Sequence, residues 1–341
     1  MFDKLFGFLY LKVFVNIIVG RTTITVYVEY CSGDEVTESF EKTFETLNLT
    51  KAVEEYISLH TAESPYFYIS MLDKSQFQGA LPSCDAKEHA KFIDLSSYQW
   101  ACYKKEWTYY TLKSDLLLLQ KEYARVGLDF IFSPFVILAE FFKEKIDVHT
   151  AMFVLVEDGF LSLSVFENGE LLFAEHLDMF YKEEAAELLI EDAMEDIGIN
   201  IDLENSIDLE DIDADEELGD LEDFGDIADL DEIEEIDEFS DDKELDSLMT
   251  QKEEKHPSYS VSSEGFNEDY QRFSLIQTSV KHFYKNPKYK SVFIENVYIA
   301  DAVGLGGDLK HYLEDEMFLN VHIRKMDLLH EMCGMAKKEL G

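Results

Sequence analysis

The chain has 341 residues, and its 72 Asp and Glu against 29 Lys and Arg give a formal charge of −43. Residues 181–250 hold 31 acidic and 2 basic side chains and so carry −29 of that charge, which leaves −14 for the other 271 residues. A balance of this sign argues against nucleic acid phosphate or an anionic membrane as a direct partner, because both require clustered Lys and Arg. A content of 46% apolar and 13% aromatic residues excludes a wholly disordered chain and provides for a sizeable core.

From the N-terminus, residues 5–20 are apolar apart from Lys12 and Asn16. The run is shorter than the roughly 20 residues of a membrane span, and it lacks the basic start and small-residue cleavage site of a leader. It reads as an amphipathic lead-in, with Phe2, Leu5, Phe6 and Leu9 at helical spacing, that passes into a strand, and a soluble protein is expected. Residues 13–20 and 23–30 are β-branched and aromatic runs around Gly20, which predicts an antiparallel hairpin. A helix over 49–60, a strand over 66–71 and an exposed aromatic sheet segment over 98–111 follow.

Ser114 caps a helix in which Leu116, Leu119, Tyr123 and Val126 share a face and Gly127 ends the element. A strand over 128–132, a helix from Pro134 to Phe142 and a strand over 151–156 make the class α/β. Asn168 and Gly169 join strands 161–166 and 170–175 in a second hairpin, about 140 residues after the first, which is the organisation of a duplicated fold. Beyond the acidic stretch, Phe266, Tyr270, Phe273, Ile276, Val280 and Phe283 mark a long amphipathic helix. A strand over 291–300 then leads through Gly304, Gly306 and Gly307 into a helix over 308–316, a short strand over 321–323 and a closing helix over 327–340.

Other chemistry finds little support. Cys31, Cys84, Cys102 and Cys333 have neither metal-ligand nor disulfide-framework spacing and are expected as reduced thiols. The nine histidines show no paired metal spacing, and GxSxG and P-loop motifs are absent. Lys281, Lys285, Lys288 and Lys290, with His282, Tyr284 and Tyr289, form the one basic patch, read as a charged helix end or a contact for the acidic stretch rather than a nucleic-acid site.

The order of these elements resembles the actin-like ATPase fold, and within it the PilM and GspL proteins of type IV pili and type II secretion. The resemblance lies in MFDKLFGFLYLKVFVNIIVGRTTITVYVEY, LLLLQKEYARVGLDFIFSPFVILAEFF, SLSVFENGELLFAEHLD and VYIADAVGLGGDLKHYLEDEMFLNVHI, roughly half the chain in the expected order. It implies an actin-like, duplicated fold whose first domain is 1–150, whose second is 151–182 with 255–341, and whose acidic insertion is 183–254.

Members hold magnesium and phosphate with a DxG turn in each hairpin and adenosine with a glycine turn near the end, since glycines let backbone N–H groups approach phosphate oxygens. Carried onto this chain, the first turn keeps Gly20 but has Ile18 at the carboxylate position. The second turn is Leu155, Val156 and Glu157 without a gap, or Glu157, Asp158 and Gly159 with a two-residue deletion. The late turn has Asp301, Ala302 and Val303 at the glycine positions, with Gly304, Gly306 and Gly307 just beyond.

These departures predict a chain that uses no cofactor or small-molecule substrate and is not an enzyme. The resemblance then implies a scaffold at the cytoplasmic face of the inner membrane that holds the tail of a PilN-like bitopic membrane protein within a pilus, secretion or flagellar-motor assembly. It also implies contacts with other components of that machine, as a homo-oligomer or ring, and no nucleic acid partner. The alternative is an active actin-like ATPase with an altered nucleotide site.

Within the insertion, Leu218, Leu221, Phe224, Ile227, Leu230, Ile233, Ile236 and Phe239 recur every third residue among acids. Three residues turn an α-helix by about 300°, so these side chains drift around the axis and make no stable stripe. With this charge density the segment is expected to be largely disordered, as inert padding or as a docking peptide for a basic, grooved partner. Asp211, Asp213, Asp215 and Glu222 match calcium-loop positions, but Glu216 replaces the glycine that loop requires.

Overall fold

Strand β1 (Leu11–Val19) and strand β2 (Ile24–Ser32) are β-branched runs with two buried faces, the pattern of strands inside a covered sheet. Val13, Val15 and Ile17 turn toward Val53 and Ile57 of helix α1 (Lys51–Thr61), while Phe14 faces the opposite core. The computed structural model describes residues 10–33, 35–179 and 263–340, with the side chains of the last stretch described from residue 268. The lead-in at Phe2, Leu5, Phe6 and Leu9 lies outside these residues, as do the insertion's apolar series and acidic loop. The described residues fall within one compact unit. Among them, no helix is long and apolar enough to cross a membrane.

Strand β3 (Glu35–Phe44), strand β4 (Tyr66–Leu72) and strand β8 (Phe130–Phe132) complete a sheet in the order β3-β2-β1-β4-β8. β1, β2 and β3 are an antiparallel meander; α1 then crosses to β4, which lies parallel to β1, and β8 lies parallel to β4. Helix α2 (Lys113–Glu122) precedes β8, and helix α3 (Pro134–Phe141) follows it. The second half repeats this wiring with strand β9 (Thr150–Val156), strand β10 (Phe160–Glu167) and strand β11 (Glu170–Asp178) as the meander. Helix α4 (Ser263–Lys285), strand β12 (Asn296–Asp301), helix α5 (Asp308–Met317), strand β13 (Asn320–Lys325) and helix α6 (Leu328–Leu340) complete it, in the sheet order β11-β10-β9-β12-β13. Two copies of the same five-strand order with the same helix crossings are the actin-like fold.

The two halves share a core. Phe14, Phe132, Phe135 and Ile137 of the first pack with Phe153, Leu155 and Phe166 of the second, and Met332 and Cys333 of α6 close the cluster. α6 also reaches the first sheet electrostatically. Glu29 on β2 is 1% exposed, and its carboxylate takes hydrogen bonds from Lys337 of α6 and from the Tyr27 hydroxyl (2.7 Å). Burial pushes the Glu29 pKa up, but the bonds from Lys337 and Tyr27 outweigh it and hold it below the usual carboxylate range.

Between β4 and β8 the chain builds a separate three-stranded sheet from strand β5 (Gln78–Leu81), strand β6 (Tyr98–Tyr103) and strand β7 (Trp107–Leu112), in the order β5-β7-β6. Cys84 and Cys102 are joined in a disulfide across this insertion, whereas Cys31 and Cys333 are buried thiols. Reduced thiols throughout were the expectation. It fails at Cys84 and Cys102 because the chain returns after 18 residues to place β6 against the segment that follows β5, a proximity that the spacing of the cysteines does not announce.

The duplication is real but offset from the predicted one. The counterpart of the β1–β2 turn is the turn between β9 and β10, and the Asn168–Gly169 hairpin joins β10 to β11, the pair equivalent to β2 and β3. β3 escaped notice because nine of its ten residues are exposed, so its sequence lacks a hydrophobic period.

Closing a loop of this length removes about 3 kcal/mol of chain entropy from the unfolded state. Urea unfolding of Cys102→Ser should therefore show a loss of that order relative to the native protein, and prior treatment with a thiol reductant should abolish the difference.

Candidate functional site

In this fold the turns after β1, β9 and β12 face one cleft, and their backbone donors are the chemical resource of the site. Gly20 opens the first turn, its N–H bonded to Thr23 O at 2.7 Å. A Cβ on Gly20 would stand 2.9 Å from Asp158 Oδ2, so the missing side chain lets the two hairpin turns meet. Across that contact the Arg21 N–H donates to Asp158 Oδ2 at 2.9 Å, and the guanidinium Nε lies 3.4 Å from Oδ1. Glu157, Asp158 and Gly159, with Gly159 at φ +101°, form the second turn, whereas Leu155 and Val156 are buried inside β9. The turn repeats the first one position for position: Val156 pairs with Leu161 as Val19 does with Ile24, and the Glu157 N–H donates to Phe160 O as the Gly20 N–H does to Thr23 O, so Glu157 stands where the first turn has Gly20 and the alignment without a gap is the one the two hairpins share. Ile18 lies within β1 and packs against the shared core.

The salt-bridge chain continues from Arg21. Its Nη1 meets Glu268 at 2.9 Å; Glu268 meets Arg272 at 2.9 Å; Arg272 meets Asp269 at 2.8 Å. Asp269, 3% exposed, then takes the Leu309 N–H at 3.3 Å in the first turn of α5, where the helix end favours negative charge. Burial pushes the Glu268 carboxyl up, but the hydrogen bond and charge of Arg21 together with Arg272 prevail and hold it below its ordinary value.

The late turn is filled in the same manner. The Asp301 carboxylate, 4% exposed, accepts from the N–H groups of Val303 (3.1 Å), Gly304 (2.7 Å) and Leu305 (3.1 Å to Oδ1, 3.0 Å to Oδ2). Gly304, at φ +80°, supplies the left-handed residue that folds these amides inward, while Gly306 sits where a Cβ would come 3.3 Å from Asp269 Oδ2. Gly307 caps the start of α5.

The floor of the cleft adds a buried acid and a half-buried base. Glu157 is 3% exposed with Lys74 at 3.8 Å; burial raises its pKa, Lys74 opposes this, and Asp73 and Asp158 reinforce it. His176 is stacked on Phe160, with Nδ1 2.8 Å from Ser162 Oγ and Nε2 3.4 Å from the Gln78 amide nitrogen. The neutral ring carrying its proton on Nδ1 satisfies both contacts. Burial, reinforced by Lys74, pushes the His176 pKa down to about 3.

A second concavity lies at the edge strand β8. It encloses about 550 Å³ between β6–β7, β8, α3 and α6, with Tyr103, Tyr109, Phe130, Val136 and Met335 among its walls. Glu140 ties its rim together, accepting from the Tyr103 hydroxyl and Lys104 and lying 3.5 Å from Lys338. Burial alone would raise Glu140, but Lys104 and Tyr103 bring its pKa down to about 2.

The expected basic patch is dispersed into separate contacts. Lys290 pairs with Glu167 at 2.6 Å, His282 with Glu175 at 3.3 Å, and Lys288 donates to Phe92 O at 3.4 Å. The partner series Leu218, Leu221, Phe224, Ile227, Leu230, Ile233, Ile236 and Phe239 lies outside the described residues. Sequence reasoning missed Arg21, Glu268, Asp269 and Arg272, which assemble only in three dimensions. It placed Asp301 at a lost glycine without seeing that an Asp two to four residues before free amides can accept from them.

Asp301→Ala would take the acceptor from three part-buried amides, which water can reach in part, and should cost about 1–2 kcal/mol in denaturant unfolding, with Asp301→Asn recovering some of it. For His176 the folded pKa lies below the unfolded value of 6.5, so its contribution is complete above pH 6.5 and is lost as pH falls toward about 3. A stability profile across that window should decline in the native protein and decline less in His176→Phe.

Comparison with known proteins adds the following. No curated protein matches the sequence. The structure is similar to that of a PilM–PilN type IV pilus biogenesis complex, with 11% identity and a TM-score of 0.45 over 91% of this chain and 87% of that one. It is similar to the ethanolamine utilization protein EutJ from Carboxydothermus hydrogenoformans, with 10% identity and a TM-score of 0.40 over 95% and 89%. It is also similar to a Bacteroides thetaiotaomicron protein with an actin-like ATPase fold and unknown function, with 16% identity and a TM-score of 0.36 over 55% and 78%. Residues 10–139 match a family described as Domain of unknown function (DUF8569). Residues 152–341, more than half of the sequence, match Domain of unknown function (DUF8341), and the chain belongs to that family.

Proposed function

We propose that this actin-like protein is a nucleotide-free scaffold rather than an ATPase. The observation that carries this reading is that the amides a phosphate would need are already bonded to the chain's own carboxylates, Asp158 at the first turn and Asp301 at the late turn. A nucleotide would have to displace both and then bring its charge beside Asp73, Glu157, Glu268 and Asp269. Like charges at such separations oppose binding. Ile18, packed in the core, offers no ligand to a magnesium ion that could relieve the repulsion.

With the cleft sealed, the cavity at β8 offers a concavity for a partner. Its aromatic walls and mixed-charge rim suit a short peptide with apolar anchors, and β8, at the sheet edge, offers backbone groups for strand addition. The occupant suggested by the sequence resemblance is the cytoplasmic tail of a PilN-like bitopic membrane protein. This would place the chain at the cytoplasmic face of an inner membrane, as one component of a pilus, secretion or motor assembly.

Two measurements test the reading. Calorimetry with magnesium and ATP should register no binding up to about millimolar nucleotide, and a magnesium-dependent affinity in the micromolar range would replace the scaffold with the ATPase. Affinity capture from solubilised membranes should recover a small bitopic protein with the native chain and much less with Lys338→Glu, a charge reversal on the exposed rim of the cavity. Equal recovery by both would remove the β8 cavity as the docking place.

A further inference from the structure

Helix α5 ends in an unusual way. Phe318 follows its last turn at φ +55°, ψ +35°, the left-handed conformation that helix ends normally assign to glycine because a Cβ is crowded there. The side chain gains nothing for the fold in return: it is 87% exposed. The next residue performs the anchoring, since Leu319 is buried, packs in the same core as Leu313 and donates its N–H to Leu313 O at 3.2 Å. An aromatic that is both conformationally costly and unpacked marks a position shaped by something other than folding.

Phe293 lies at the same end of the second sheet. The parallel register sets Asn296 beside Asn320, and the Asn320 N–H donates to Glu295 O at 2.8 Å, so the segments entering β12 and β13 run together. Phe293 is 78% exposed, and these two rings are the most exposed large apolar side chains among the described residues. Acidic side chains stand closest to them along the chain, since the nearest lysines, Lys288 and Lys290, are engaged with Phe92 O and Glu167. Glu295, Asp315 and Glu316 are exposed, and neither 291–300 nor 312–323 contains a Lys or Arg.

We propose that Phe318 and Phe293 form a docking surface for a cationic protein segment, whose apolar residues receive the two rings while its Lys and Arg meet Glu295, Asp315 and Glu316. The surface is distinct from the β8 cavity and stands or falls independently of it. Aromatic anchors surrounded by a charged rim are the usual anatomy of a small, specific interface, and the acidic rim selects against acidic partners.

The test uses the full chain and a random peptide library displayed on phage, panned on the native protein with counter-selection on Phe318→Gly/Phe293→Ser. Selected sequences should combine aromatic or aliphatic residues with Lys and Arg. A synthetic peptide of that consensus should lose roughly tenfold or more in affinity for Phe318→Gly alone. The same variant should melt at an equal or higher temperature, because glycine relieves the backbone at that position; a marked fall in melting temperature would show that Phe318 serves the fold, and would overturn the proposal. Acidic or absent consensus sequences would overturn it too. So would a native chain whose self-association, measured by sedimentation, disappears in the double variant, since the occupant would then be a second copy.

Discussion

A backbone amide in a tight, half-buried turn must find an acceptor, and in this protein three such places find one in the chain itself. Asp158, Asp301 and Asp269 supply the oxygens; Asp158 and Asp269 come from segments other than those of the amides they serve, and Asp301 reaches forward over its own turn. Because Asp158 arises from the second half and Arg21 from the first, satisfying these donors also locks one half to the other. The Arg21, Glu268 and Arg272 series carries that lock to the start of α5 with alternating charge, so that no carboxylate in the row stands without a cation. The geometry of the cleft thus follows from hydrogen-bond accounting, with glycine at position 20 permitting the approach.

The remaining surface features divide between the two halves. The first half carries an inserted sheet, closed by a disulfide and tied by Glu140 to α3 and α6, which turns the edge strand β8 into the wall of a cavity. Among the described residues, the second half has two phenylalanines in solvent at the far end of its sheet, beside Glu295, Asp315 and Glu316. On the proposed scaffold reading, separate components need separate places, and these two are chemically unlike: a recessed aromatic slot with a mixed-charge rim, and a protruding aromatic pair beside carboxylates.

Much of the fold was legible because its strands are strongly β-branched and its helices periodic. The strands over 66–71 and 151–156, the helix from Pro134 and the closing helix lie where residue pattern puts them. What escaped has identifiable causes. β3 is exposed along its length and carries no period; Cys84 and Cys102 meet through a loop that spacing does not reveal; and the duplicated hairpins were paired one strand out of step because Asn168–Gly169 is so strong a local turn signal that it drew the alignment to itself. At the site, Ile18, Gly20, Glu157 and Gly304 could be read singly. The salt-bridge series could not, since its members come from β1–β2, β9–β10 and α4 and have no common spacing.

The contact between Glu29 and Lys337 bears on how such a chain is made. Glu29 is sealed in the first sheet, and the cation that neutralises it comes from a helix more than 300 positions later. During synthesis on a ribosome, the first sheet therefore emerges with an unpaired acid in what will become its interior and without the helix that covers it. Until 328–340 has been translated that face of the sheet stays open to water, which keeps the acid hydrated but leaves Phe14 and Cys31 without the apolar cover of Met332 and Cys333. The first half is begun early and finished last, which makes the nascent chain a natural client for a holding chaperone and ties completion of both halves to a single late event.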